Sequence, residues 1–295
     1  MTTPTHSGIT PTPIDPEDRN HRRAVLDTSV QVDRVKSGQR SEWLATILNT
    51  FGWRFTTGIA LLEFKATLLQ EMIFIHDSLR RPGARFSHVR DEITESQHRQ
   101  KALRLHIFNN ILAISASSHR TAEADDLRLA EKAHLLLEDH IVELYDWFVG
   151  EKSVDQLLSD RVRCDRAAER PVKKRAKFAT NLPECIRGRN KSCRVESVLR
   201  EKAAPLRSRL EALATPVGEE PPNQFRKSLT VIDRVVDDPK AELSHGDCRR
   251  AGDLLIGLEA HEFATHAIST NAKEWQQLSE ILGFEFVHIA YPRST

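Results

Sequence analysis

No stretch of this 295-residue chain approaches the ~18 consecutive apolar residues that a membrane-spanning helix needs. Its opening, MTTPTHSGITPTPIDPEDRNHRR, lacks the apolar core of a secretion signal. Export and membrane insertion are not expected, and a cytoplasmic protein is. Cysteine is scarce: Cys164, Cys185, Cys193 and Cys248 are too few and too irregularly spaced for a disulfide scaffold, and they suit a reducing compartment. Glycine is also scarce, at twelve residues. No G-x-G-x-x-G, P-loop or G-x-S-x-G motif is present, which argues against nucleotide-cofactor loops and serine-hydrolase chemistry.

What the chain does have is a soluble composition, 39% hydrophobic and 29% charged, and a length that can bury a substantial core. Its 43 basic and 42 acidic residues nearly cancel, but they are unevenly placed. Residues 161–194 hold twelve Lys/Arg against three acids, a local +9 that leaves −8 on the remainder. The concentration around Lys173, Lys174, Arg175, Lys177, Arg187 and Arg189 points to a polyanionic partner, held by phosphate neutralisation and not by base reading; a solvated, flexible segment is the other reading.

Residues 1–20, rich in proline and threonine, read as a disordered tail. A short apolar strand ending in a polar turn follows over 22–30. An amphipathic helix is predicted over 41–51, with Ser41 as its cap, and a second short strand at Trp53-Arg54-Phe55. Thr56 or Thr57 then caps a helix over 58–79, whose two apolar stripes (Leu61, Leu68, Met72, Ile75, Leu79; Leu62, Leu69, Ile73) imply burial from several sides. Arg81-Pro82-Gly83 ends it. The middle reads as helical, with stripes Leu103, Ile107, Ile111, Ile114 and Leu129, Ala133, Leu136, Leu137, Ile141, Leu144, Phe148. A loop is expected over 215–223. Near the end, helix 249–263, strand 266–269, helix 273–282 and strand 284–289 alternate. Strand–helix units at both ends of the chain indicate an α/β sheet with helices on both faces, interrupted by a large and mainly helical insertion. The expected division is 21–82 with 245–295 as the sheet domain and 83–244 as the insertion.

Ligands of open α/β sheets bind beyond the carboxyl ends of the strands. Asp27 falls at the end of the first strand, Glu63 in the early turns of the helix after the second, Asp253 in the helix before the later strand, and Glu274 at the start of the helix after it. Carboxylates gathered at one edge repel one another unless a cation neutralises them. Mg²⁺ or Mn²⁺ suits oxygen-only ligands and could support displacement at phosphorus. Taken singly, an acid such as Glu274 at a helix start is only a partner for the helix dipole. Asp33, Asp233, Asp237, Asp238 and Asp247 read as solvated, with Asp247 also placed to cap.

Val25-Leu26-Asp27-Thr28-Ser29-Val30 resembles the opening motif of PIN-domain nucleases. Residues 57–65 (TGIALLEFK), 252–260 (GDLLIGLEA) and 269–275 (STNAKEW) resemble the second, third and fourth motifs of that family, in order. The resemblance covers about residues 22–80 and 245–290. It implies a three-layer αβα fold and metal-dependent endonuclease chemistry, most often on RNA, with DNA as the other polymer. By the same resemblance Asp27, Glu63 and Asp253 would ligate Mg²⁺ or Mn²⁺, Glu274 would be the fourth acid, and Ser29, Ser269 and Asn271 would support them. Glu274 stands where the family usually has Asp, and compact members have nothing like residues 81–245. A toxin, a defence nuclease and an RNA-processing enzyme all fit, as do a regulatory protein partner and a homo-oligomer.

Three other readings stay open. A PIN-like scaffold could bind RNA or protein without cleaving. A di-metal helical bundle could use Glu95/His98, Glu131/His134 and Glu242/His245, three of the chain's E-x-x-H pairs, where composition alone gives about one. Cys185 and Cys193, with Cys164 and either Cys248 or His245, could bind zinc, although the C-x₂-C knuckles of strong zinc sites are missing.

Overall fold

The computed structural model describes residues 22–36, 39–98, 100–116, 125–150, 156–158, 171–174, 177–180, 195–213, 223–238, 240–241, 243–264 and 266–291. The expected disordered tail and the 215–222 part of the expected loop lie outside them. Five parallel strands form one sheet: β1 (Arg23–Leu26), β2 (Trp53–Thr57), β3 (Gln156–Leu158), β6 (His266–Ser269) and β7 (Glu285–His288), in the spatial order β3-β2-β1-β6-β7. The protein is therefore α/β with a parallel sheet and mostly helical content.

The central strands β1 and β6 are apolar on both faces, as parallel strands covered by helices must be. Ala24, Leu26 and Ile268 share one core with Leu44 and Leu48 of α2 (Gln39–Leu48) and with Phe51. Val25 and Ala267 point into another core, with α10 (Gly252–Phe263) and α11 (Ala272–Leu282). In α11, Trp275 and Leu278 fill that second core. The close approach of Leu278 to Gly257, where an added Cβ would come within 2.7 Å, locks α10 onto α11.

The first strand is shorter than the sequence suggests. It ends at Leu26, and helix α1 (Thr28–Val35) starts at once, with Asp27 in extended conformation as its N-cap. Val30, Val32 and Val35 favour a strand by propensity, but the Asp-Thr-Ser group starts a helix, and tertiary packing fixes the choice. Helix α3 (Gly58–Leu79) has the expected limits, and Thr57 Oγ1 accepts from the Ala60 N–H at 3.0 Å. Residues of both stripes pack into one core, and the first turn of the helix joins another. Ile59 and Ala60 join the sheet, whereas Phe64, Leu68, Leu69, Met72, Ile75 and Leu79 pack with α4 (Phe86–Glu95), α5 (Lys101–Ala116) and α6 (Asp125–Gly150). One expected member of that cluster is not buried: Ile114, near the end of α5, is 44% exposed.

The chain then returns to the sheet at β3, paired parallel to β2. Helices α4–α6 thus lie within a β2–β3 crossover. The basic window contains an antiparallel hairpin, β4 (Pro171–Lys174) and β5 (Lys177–Thr180), beside α3 and α6. Helices α7 (Val195–Leu213) and α8 (Asn223–Asp237) add Leu199, Leu206, Val231 and Ile232 to the core under α10 and α11.

The long helix expected over 249–263 is two helices, α9 (His245–Arg250) and α10, jointed at Ala251. Two acids read as solvated are buried. Asp33 bonds Lys36 and the Tyr291 hydroxyl. Asp247 forms a capping box with Ser244 and ion pairs with Arg234 at 2.7 Å and Arg250 at 3.2 Å. Among the described residues no helix is long and apolar enough to cross a membrane.

Candidate functional site

From β1 the chain moves outward to β2 and β3 on one side, while β6 and β7 occupy the other. The order reverses between β1 and β6, so their carboxyl ends form a topological switch point, where open α/β sheets bind ligands. Asp27 and Ser269 lie there. The Asp27 N–H continues the ladder to the Ile268 carbonyl at 3.0 Å, and the Ile289 N–H bonds the Ser269 carbonyl at 3.0 Å.

Asp27 is 5% exposed. Two hydroxyls donate to its Oδ2, Ser29 Oγ at 2.6 Å and Ser269 Oγ at 2.7 Å. Their orientation is set from behind. Ser29 Oγ accepts from the Thr270 N–H at 3.2 Å and Ser269 Oγ from the Asn271 N–H at 3.0 Å. Each hydroxyl has one proton, and these backbone donors leave it directed at the carboxylate. Asn271 extends the chain of bonds by donating its side-chain N–H to Glu274.

Glu63, one turn into α3, is half-buried. Its Oε2 accepts from Thr28 Oγ1 at 2.7 Å. Its Oε1 lies 2.7 Å from the point a Cβ on Gly252 would occupy, so three helix starts meet around this carboxylate. Burial pushes the Asp27 carboxyl above its usual range, and the Ser29 and Ser269 hydroxyls and the Thr28 and Ser29 N–H groups offset this only in part. Burial also raises Glu63, and the Asp27 charge adds to it, against the Thr28 hydroxyl and the Arg249 guanidinium. Two acids that feel each other's charge are thus partly desolvated and bonded mainly by hydroxyls.

The structure brings Asp27 and Glu63 together, with Ser29, Ser269 and Asn271 around Asp27. Asp253 stands in the first turn of α10 beside Gly252, and Glu274 in the first turn of α11 on Asn271. Among the described residues no three acidic, histidine or cysteine side chains form a group that could hold a metal ion. Two contributors were not read from the sequence. Thr28 was legible as a hydroxyl next to Asp27. Gly252 offered a fainter signal, a glycine directly before a helix-start acid in a glycine-poor chain.

Other candidates fall elsewhere. Lys173, Lys174 and Lys177 lie on the β4–β5 hairpin, whereas Arg175, Arg187 and Arg189 are outside the described residues. So are Cys164, Cys185, Cys193 and Glu242, and the side chain of His245 is not described; Cys248 is half-buried on α9. The Glu95/His98 and Glu131/His134 pairs have separate surroundings. Glu131 is exposed, His134 lies against His76 with ring centroids 4.8 Å apart, and His98 approaches Glu71 at 3.8 Å.

No protein-family model, curated protein or solved structure matches the chain.

Proposed function

We propose that this protein is a PIN-like, three-layer αβα endonuclease that hydrolyses RNA phosphodiester bonds in the cytoplasm with Mg²⁺ or Mn²⁺. The observation that carries the reading is the Asp27–Glu63 pair, one buried and one half-buried carboxyl, both raised by burial, at the switch point of a parallel sheet. An all-oxygen donor set with excess negative charge fits a hard divalent cation. Asp27 and Glu63 would hold it, and Asp253 and Glu274 would add charge at the rim. Bound there, the metal supplies Lewis acidity to the scissile phosphodiester.

The protein's own groups do the positioning. Ser29 and Ser269 fix the rotamer of Asp27, Thr28 fixes Glu63, and Asn271 ties Glu274 to the same hydroxyl chain. The basic window, including Lys173, Lys174 and Lys177, would neutralise substrate phosphates. Incubating the purified protein with labelled RNA and DNA, with Mn²⁺ or with EDTA, tests the reading. Metal-dependent cleavage lost in Asp27→Asn is the expected result. Undiminished cleavage by that variant overturns it, and RNA binding without cleavage would favour a non-catalytic PIN-like module.

A further inference from the structure

We infer that Gly252 is a positioning residue for Glu63, one jaw of a clamp whose other jaw is Thr28. The inference rests on the reading of Glu63 as a metal ligand. The Glu63 carboxylate is touched from two sides by groups far apart in the chain. Thr28 Oγ1 donates to Oε2 at 2.7 Å, while Oε1 occupies the space beside Gly252. A Cβ at position 252 would fall 2.7 Å from Oε1, 3.7 Å from Cδ of the same carboxylate and 3.7 Å from Ile59 Cγ2. The first distance is closer than van der Waals contact allows, and the other two are ordinary.

The only atom in the way is therefore the far end of a flexible side chain. The fold can admit a methyl group by swinging the carboxylate away, so the cost falls on the site and not on the core. Gly252 sits in the first turn of α10 without positive φ. Backbone conformation does not require glycine there, and helix propensity disfavours it. Close approach of the carboxylate is what remains to require it.

The test is a double-mutant cycle on the full chain, comparing wild type, Gly252→Ala, Glu63→Ala and the double variant. Mn²⁺ affinity by calorimetry and Tm without metal are the readouts. Gly252→Ala is expected to weaken Mn²⁺ binding tenfold or more in the wild type and less than twofold in Glu63→Ala. Without the Glu63 side chain to displace, the same substitution should raise Tm by roughly 2 °C through helix propensity, and with it present the gain should vanish. Equal Tm changes in both backgrounds, or undiminished Mn²⁺ affinity in Gly252→Ala, overturn the inference. A wild type that binds no Mn²⁺ overturns the metal reading instead, and the Tm cycle then decides the clamp alone.

Discussion

Glu71 in the helical half and Asp27 at the sheet edge are both buried acids, 1% and 5% exposed, yet their surroundings are opposite. Glu71 on α3 is bonded by the Arg104 guanidinium of α5, which itself stacks over the Phe74 ring at 3.5 Å. Its charge is cancelled where it lies. Asp27 has two serine hydroxyls and a second acid, Glu63, as neighbours. Asp247 lies between these cases, with Ser244 and two arginines. A buried acid with its own cation ties helices together, whereas a pair of acids held by hydroxyls leaves charge for a ligand to neutralise.

The largest expected effect breaks the structural side of this contrast. Arg104→Met strips Glu71 of its cation and should cost about 3–5 kcal/mol in denaturant unfolding. Replacing both partners with apolar residues, Glu71→Leu with Arg104→Met, should recover most of that loss. A single variant as stable as wild type would show that the pair does not hold α3 and α5 together.

The site acids should behave in the opposite sense. Asp27 and Glu63 have folded pKa values above their ordinary 3.8 and 4.5. Their contribution to stability is complete below those ordinary values and is lost as pH rises through the folded ones. Without metal, Asp27→Asn combined with Glu63→Gln should melt higher than wild type at pH 7, with the gap closing below about pH 4. Melting curves across pH check this, and a variant less stable than wild type at pH 7 would contradict it. Asp247 sharpens the comparison because its carboxyl is lowered. Burial opposes that shift, but the Ser244 N–H and hydroxyl, Arg234 and Arg250 outweigh it. Its stabilisation is present above the ordinary value and lost as pH falls through the folded one. Asp247→Asn should cost about 2 kcal/mol at pH 7 and nothing in strong acid.

The smallest expected effect concerns the basic window. Neutralising Lys173, Lys174, Arg175 and Lys177 should make the slope of log affinity for RNA against log salt shallower, by up to ~0.7 per lost phosphate contact. Binding titrations at several salt concentrations measure it. Superimposable slopes would show that the window does not touch the nucleic acid, leaving it a solvated segment or a protein-docking surface.

Much of this contrast was legible locally. Short apolar strands followed by polar caps gave Asp27 and Thr57 their places, and the wide apolar arc of α3 announced its double burial. Long-range partners were not legible. Asp33 reads as solvated until Tyr291 reaches it from the other end of the chain, and Gly252 reads as a weak helix residue until Glu63 lies against it. Strand β3 escaped notice because three residues carry no period, and the hairpin because lysines obscure its alternation. The acid pair and its supports Ser29 and Ser269 were visible as motif resemblance, but that both hydroxyls meet on one oxygen of Asp27 needed the register of β1 on β6.

The central claim is that the Asp27–Glu63 pair is a cation site. The most direct measurement is the melting temperature at pH 7 with increasing Mn²⁺, for wild type and for Asp27→Asn. Ligand at a hundredfold over Kd stabilises the folded state by about 2.7 kcal/mol, so wild type should melt progressively higher while Asp27→Asn stays flat. Equal Mn²⁺-dependent shifts in the two proteins, or none in wild type, would contradict the account.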